Sequence, residues 1–423
     1  MQLLRLLRML LVTPFFVTKA TMNTIIHDNH ISSFGLELVD ADAFMLGEKS
    51  RLFAGCLGNN VKSQAICNFP ARNPMIERYK LLAESKRILA PLVRPGHNLV
   101  GCQRVAVSAS GAVGVARLRD TSVLPYERGY HFDGVKTCKS VWVCPVCSYR
   151  LAGVRASEVR QAIYTAKLSG HDVYMMTLTF RHSKFDQLDV MLSRFKSALS
   201  RLWCQRAVKD LFSNRFFGRI TATEITYSDK SGWHPHQHIL LLGNKGLSCD
   251  QLQADFAGRW VRALAASRLS GIDEVACNVQ PAAAVQDYLT KMSHEIATGN
   301  AGYKQGRAGG YSPFGLLAAS RTQDAYRRLW REYYTATKGK RALCWSRGLK
   351  ALCGVSDVSD ADAMDLEASR YEIVLQVVSE DWRELLTNQD LGYIRRAPSV
   401  DSIVDLLIAR GARFWMGEKK RSA

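Results

Sequence analysis

The stretch ITATEITYSDKSGWHPHQHILLL, Ile220 to Leu242, decides the fold. ITATEITYS (220–228) and HQHILLL (236–242) read as β-strands. Asp229, Lys230 and Gly232 supply turn chemistry between them, so the two strands read as a hairpin. The closing ILLL is apolar on both faces, which makes the second strand central and buried. Its histidines therefore stand at the edge of a core.

Working outward, VYMMTLTF (173–180) reads as another strand and RLAGVRASEVRQAIYTAKLSG (150–170) as a helix ending at Gly170. LDVMLSRFKSALSRLWCQRAV (188–208) is an amphipathic helix. A helix over 250–268, a short strand near Val275–Val279 and a helix from Pro281 to about Ile296 follow. The order β-α-β-β-α-β-α predicts an α+β protein: an antiparallel central sheet with helices packed on it.

The chain of 423 residues is long enough for two or three folding units. Apolar residues make up 47% and charged residues 22%, which excludes a disordered chain, a collagen-like fibre and a small disulfide scaffold. No apolar run approaches the ~20 residues that cross a bilayer, so no membrane association is expected. Lys and Arg number 57 against 38 Asp and Glu, a net charge of +19. Such a surplus points to an anionic partner, nucleic acid above all. Eleven cysteines over a long chain fit reduced thiols better than a disulfide framework.

At the N-terminus, Arg5 and Arg8 precede an apolar stretch from Met9 to Val17, as in a signal peptide. Pro14 interrupts it, the small-residue cleavage pattern is poor, and Met22 follows at once. The reading adopted is an upstream start or an extension on a cytoplasmic protein. Residues 1–95 are read as an N-terminal extension, with no legible motif in 22–95; 96–165 form a cysteine-rich module and 166–300 the catalytic domain. Residues 301–352 hold 11 Lys/Arg against 2 Asp/Glu, whereas 353–423 hold 9 against 13. That change marks a boundary near Cys353 between a basic segment and a mostly helical C-terminal region.

His234, His236 and His238 alternate along the strand, so all three point to one face, with neighbours ~6.5–7 Å apart. Two imidazoles at that spacing can lean onto one metal ion. Glu224 is the expected third ligand. A hairpin turning around Lys230–Ser231 would put Glu224 across from His238 and Thr226 across from His236, all on one face. A slip of one residue would turn Glu224 away.

PAAAVQDYLTKMSHEIATG opens with Pro281, a favoured first helical residue, and stops at Gly299. Val285, Leu289, Met292 and Ile296 make its core stripe. Tyr288 and Lys291 lie i and i+3 on the adjacent stripe. Taken alone, this helix carries a boundary tyrosine and a solvated lysine.

TCKSVWVCPVCSYR places Cys138, Cys144 and Cys147 in a C-x5-C-x2-C pattern. The Cys144–Cys147 pair is the knuckle that zinc sites use. Cys102 is the best fourth ligand for a structural Zn2+, with His131 as the alternative. A zinc-stabilised module is expected here.

Three motifs stand in order: MTLTF (176–180), GWHPHQHILLL (232–242) and YLTK (288–291). The set resembles the rolling-circle plasmid replication initiators of the HUH endonuclease superfamily, in the branch with one catalytic tyrosine. The resemblance covers roughly residues 96–352. It implies an HUH, ferredoxin-like nuclease core. It implies that His236 and His238 hold a divalent ion, Mg2+ or Mn2+, that Tyr288 attacks the scissile phosphate, and that Lys291 neutralises or positions it. The product would be a 5′-phosphotyrosine and a free 3′-OH primer, formed at plasmid origin DNA, single-stranded or in an extruded hairpin. Host replication helicase and polymerase are the expected partners.

Two positions depart from the pattern. Gln237 stands between the histidines where a hydrophobe is expected, yet a strand turns it to the opposite face. Ala284 occupies the position one turn before Tyr288 where some relatives carry a glutamate used in termination; Glu295 lies further along the same stripe. His234–His236 is the alternative metal pair. Imidazoles favour zinc-like ions and oxygen ligands favour magnesium, so the family precedent decides for Mg2+ or Mn2+. Within the basic segment, Arg327, Arg328 and Arg331 are the expected DNA contacts. The competing classes are another HUH nuclease, a relaxase or transposase, and a non-enzymatic zinc-stabilised DNA-binding protein.

Overall fold

β4 (Phe216–Ser228) pairs with β5 (Gly232–Gly243) through a tight loop, with one register shift at Phe216/Gly218, and this hairpin is the middle of the main sheet. The computed structural model describes residues 74–108, 111–118, 129–281, 310–359 and 371–417. Ser228 pairs with Gly232, which leaves Asp229, Lys230 and Ser231 as a three-residue loop. Gly232, which closes the loop opposite Ser228, takes φ +75°, a left-handed conformation that glycine adopts without strain. The ladder therefore closes one position earlier than expected. Glu224 faces His236 instead of His238, and Thr226 faces His234 instead of His236. The partner changes by two residues, so Glu224 keeps its face.

The main sheet has the order β6-β3-β5-β4-β7, with every pair antiparallel. β6 (Cys277–Pro281) and β7 (Leu343–Trp345) are its edges, and β3 (Asp172–Leu178) lies between β6 and β5. β5 is the central strand, as its apolar run predicts. Val275 and Ala276 belong to a short helix, Asp273–Ala276, and the strand begins at Cys277. Pro281 is the last strand residue, paired with Tyr174, rather than the first of a helix. At a sheet edge its missing N–H costs no ladder bond.

On one face, α3 (Leu188–Cys204) buries Leu188, Met191, Leu192, Phe195, Ala198, Leu199 and Leu202, the i, i+3, i+4 stripe of an amphipathic helix. α5 (Cys249–Ala265) adds Phe256 and Trp260. The expected helix over 188–208 is two: α3 ends and α4 (Arg206–Arg215) begins around an extended Gln205. On the other face, Val159, Ala162 and Ala166 of α2 (Pro145–Leu168) pack on Val173, Met175, Ile220, Leu240 and Leu242. Along β5 that face passes from Leu242 and Leu240 to His238, His236 and His234.

A second antiparallel sheet has the order β2-β1-β8-β9. It joins β1 (Ala112–Leu118) and β2 (Tyr130–Asp133) to β8 (Tyr371–Val378) and β9 (Phe414–Met416). Short helices and α7 (Val400–Ala409) fill the C-terminal part. α1 (Pro74–Leu89), in a stretch with no sequence motif, buries Tyr79, Leu81, Leu82, Ile88 and Leu89 in the shared core. Gly392 lets the C-terminal helix Asn388–Ile394 touch it, since a Cβ there would lie 2.4 Å from Ile76 Cα. No helix among the described residues is long and apolar enough to cross a membrane.

Candidate active site and metal centres

β4 and β5 bring Glu224, His236 and His238 together. Glu224 Oε2 lies 2.9 Å from His236 Nε2 and 3.0 Å from His238 Nε2. The histidine side chains are 15% and 14% exposed and that of Glu224 36%, so the cluster is partly sheltered but open to solvent. Burial raises the Glu224 carboxyl, but hydrogen bonds from His236 and His238 overcome this and hold it well below the usual carboxylate range. The site thus carries a negative charge framed by two imidazole nitrogens.

The rings are oriented from behind. Thr177, opposite His238 on β3, places its Oγ1 3.1 Å from His238 Nδ1. With Nδ1 engaged, Nε2 is the atom presented to Glu224, the arrangement that fixes a metal-ligating histidine. His236 Nδ1 lies 3.4 Å from the His234 carbonyl. Two Nε2 atoms and one carboxylate oxygen, all within 4.8 Å, fit one divalent ion with open positions for substrate.

His234 stands outside this triad. Its Nε2 is 3.0 Å from Thr179 Oγ1, and its ring lies 5.1 Å from that of His236. On the other side, the His182 ring lies 4.7 Å away, tilted by 53°. Burial and the neighbouring His236 and His182 push the His234 imidazole down to about 4, with Glu224 pulling the other way. Sequence reasoning missed Thr177, Thr179 and His182. The signal for the threonines is their own alternation within MTLTF; His182 follows the strand and carries no periodic signal.

The four cysteines also converge. Cys102 Sγ lies 3.8 Å from Cys144 Sγ and 3.6 Å from Cys147 Sγ, and Cys138 Sγ is 3.8 Å from Cys147 Sγ. Sulfurs held ~2.3 Å from a central ion in a tetrahedron are about 3.8 Å apart, so the spacing fits zinc. The Cys138 and Cys147 amides point at the Cys102 and Cys144 sulfurs, each at 3.4 Å. His131 is not part of the cluster. It lies on β2 with a buried, unbonded Nδ1 and an imidazole pushed well down by burial and nearby Arg395 and Arg150. The cluster ties α1 to α2: Lys86 of α1 donates to the Cys102 carbonyl, and Ser85 Oγ to that of Val143 at 2.7 Å.

Tyr288 and Lys291, with Ala284 and Glu295, lie outside the described residues. The chain on either side is placed. Pro281 ends at the β6 edge of the sheet, and Tyr311 bridges to Tyr227 beyond the opposite side of β5.

The three arginines of α6 (Asp324–Thr337) divide. Arg327 pairs with Asp324, donates to the Ser320 carbonyl at 3.1 Å and faces Glu84 at 3.9 Å. Arg328 and Arg331 are exposed.

Residues 130–383 match the family described as replication protein. The protein called "Protein rep" from Streptomyces lividans is 26% identical over 306 residues, covering 55% of this chain and 67% of the relative. Its namesake from Lentilactobacillus hilgardii is 26% identical over 135 residues, covering 30% of this chain and 41% of the relative. A "Neomycin resistance protein" from Streptomyces cyanogenus is 28% identical over 134 residues, covering 26% and 31%. No solved structure matches the chain. The matched span holds both strands of the metal hairpin and three of the four clustered cysteines, and by it the chain belongs to the replication protein family, that of the plasmid rolling-circle initiators its motifs resemble.

Proposed function

We propose that this protein is a metal-dependent nicking and joining enzyme that cuts one strand of plasmid origin DNA to start rolling-circle replication. The observation that carries the reading is the convergence of Glu224, His236 and His238 around one point on a sheet face.

A phosphodiester resists attack because its charge repels nucleophiles. A divalent ion, Mg2+ or Mn2+, held by Glu224, His236 and His238 would draw that charge away and orient the phosphate. Thr177 holds the His238 ring for this task. Tyr288 is the nucleophile: its phenol loses a proton, its oxygen bonds to phosphorus, and the bond from phosphorus to the 3′ oxygen breaks. The 3′ oxygen takes up a proton and becomes the primer hydroxyl. On the helix the sequence predicts, Lys291, three residues on, would stand beside the phenol and favour the phenolate of a group with ordinary pKa ~10. The reading is supported by where the described chain stops and resumes: Pro281 ends β6, the neighbour of the strand that carries Thr177, and Tyr311 bridges to Tyr227 of β4, the partner of the histidine strand.

The cysteine cluster is proposed to bind structural zinc, and Arg328 and Arg331 to contact the phosphate backbone. The test is incubation of the protein and Mn2+ with single-stranded DNA carrying candidate origin sequences. A covalent adduct is expected on Tyr288, joined to the 5′ phosphate, and none with Tyr288→Phe. An adduct persisting in Tyr288→Phe would move the nucleophile elsewhere. Tyr326 is a poor substitute, since it is buried and hydrogen-bonded to Asp229 at 2.9 Å and Tyr311 at 3.3 Å.

A further inference from the structure

Beside the metal hairpin, a cleft of about 310 Å³ opens between the end of β3, the start of α3 and the loop after α5. Arg181, Arg194 and Arg268 line it. All three are exposed and none makes an ion pair among the described residues. The one acid on the wall, Asp186, turns its carboxylate to the Ser183 amide at 2.7 Å. The walls are pinned: the Arg181 amide donates to the Ser270 carbonyl at 2.7 Å, and Arg194 to that of Arg268 at 3.4 Å. Arg268 adopts φ +58°, a strained conformation for a side chain of its kind.

Phe185 stands on the loop that rims this cleft and is 83% exposed. Leaving a phenyl ring in water is unfavourable, and burying it against a base would recover that cost. Lys184 extends over the ring at 5.0 Å. The loop is braced against the metal hairpin. Gly232 closes on it so tightly that a Cβ would meet Lys184 Cα at 2.7 Å. A row of rings runs from the cleft to the triad: Phe180 to His182 at 6.4 Å, His182 to His234 at 4.7 Å, His234 to His236 at 5.1 Å.

Guanidinium groups without a carboxylate partner, beside an exposed aromatic ring, are what a single strand of nucleic acid needs: cations for phosphates and a flat apolar face for an unpaired base. A duplex would offer the phosphates but keep its bases stacked inside. We propose that Arg181, Arg194, Arg268 and Phe185 form a subsite for unpaired DNA flanking the scissile phosphate, with a base stacked on Phe185. This rests on the nicking function proposed above and assigns the part of the substrate that approaches from the β3 side.

The test is anisotropy of a labelled oligothymidylate with the full chain and no added divalent ion, so that binding is read apart from chemistry. Phe185→Ala is expected to weaken it at least about fivefold, from the loss of one stacked base. Binding to a duplex of equal length is expected to stay the same. Arg181→Gln and Arg194→Gln should each lower the salt slope by about 0.7. Arg206→Gln, on the exposed side of α4, serves as the control and should change neither. The exposed Phe185 can be replaced without loss of folding, which a melting curve checks. Wild-type binding by Phe185→Ala, or equal losses on single strand and duplex, would overturn the subsite. If wild-type protein nicks while these variants bind normally, only the subsite falls. If the variants lose binding and no adduct ever forms, only the nicking function falls.

Discussion

Glu224 lies directly opposite His236 on the β4–β5 ladder, and one of its oxygens, Oε2, serves both His236 and His238 at 2.9 and 3.0 Å. A single carboxylate oxygen between two Nε2 atoms is a position that a proton or a metal ion can hold. Glu224→Gln keeps the size and removes the charge. We expect Mn2+ affinity to fall by more than about tenfold in a calorimetric titration, the scale on which even supporting residues act. An unchanged titration would remove Glu224 from the site.

Thr177 acts one step further out, on the back of the His238 ring. Thr177→Val keeps the shape and deletes the hydroxyl. A loss of about 10- to 100-fold in metal affinity is expected, with Thr177→Ser restoring it. Equal affinity in all three proteins would mean that packing alone orients the ring.

His234 makes the fold sensitive to acid. Its imidazole titrates at about 4 when folded, against ~6.5 unfolded. Between those values the unfolded chain binds the extra proton, so stability falls as pH drops through this window and is fully present above it. Without added divalent ion, the urea midpoint should decline more steeply from about pH 7 to about pH 5 in the wild type than in His234→Gln. Parallel declines would show that His234 contributes nothing to the acid limb.

The cysteine cluster should hold one zinc per chain. Metal bound at such a site contributes directly to folding, on the order of 10 kcal/mol in small zinc modules. Cys144→Ser is therefore expected to lower soluble yield and melting temperature. Elemental analysis of protein purified without chelator gives the direct check, and absence of zinc would leave four clustered thiols, three of them buried, with only packing to explain them.

Arg327 and its neighbours on α6 should separate in solution. Arg328→Ala and Arg331→Ala are expected to weaken DNA binding and flatten its salt dependence. Arg327→Ala should instead cost up to about 1 kcal/mol of stability, because its partners are Asp324 and Glu84. A salt slope unchanged in the Arg328→Ala, Arg331→Ala double variant would make this an ordinary solvated face.

Alternation alone put His234, His236 and His238 on one face, because a strand turns successive side chains to opposite sides whatever it pairs with. The helical period, equally local, made α3 amphipathic and brought Cys144 and Cys147 together across the first turn of α2. Only the folded chain decided which residues meet across a distance. The hairpin loop set Glu224 against His236 rather than His238, since the three-residue loop Asp229–Ser231 centres one position before the expected turn. Cys102 reached the cluster from 36 positions away, α1 supplied core with no motif to announce it, and Arg117 of β1 pairs with Glu372, 255 positions on. Backbone periodicity is fixed by neighbours in sequence. Long-range pairing is fixed by the burial of many side chains at once, and no short stretch carries that sum.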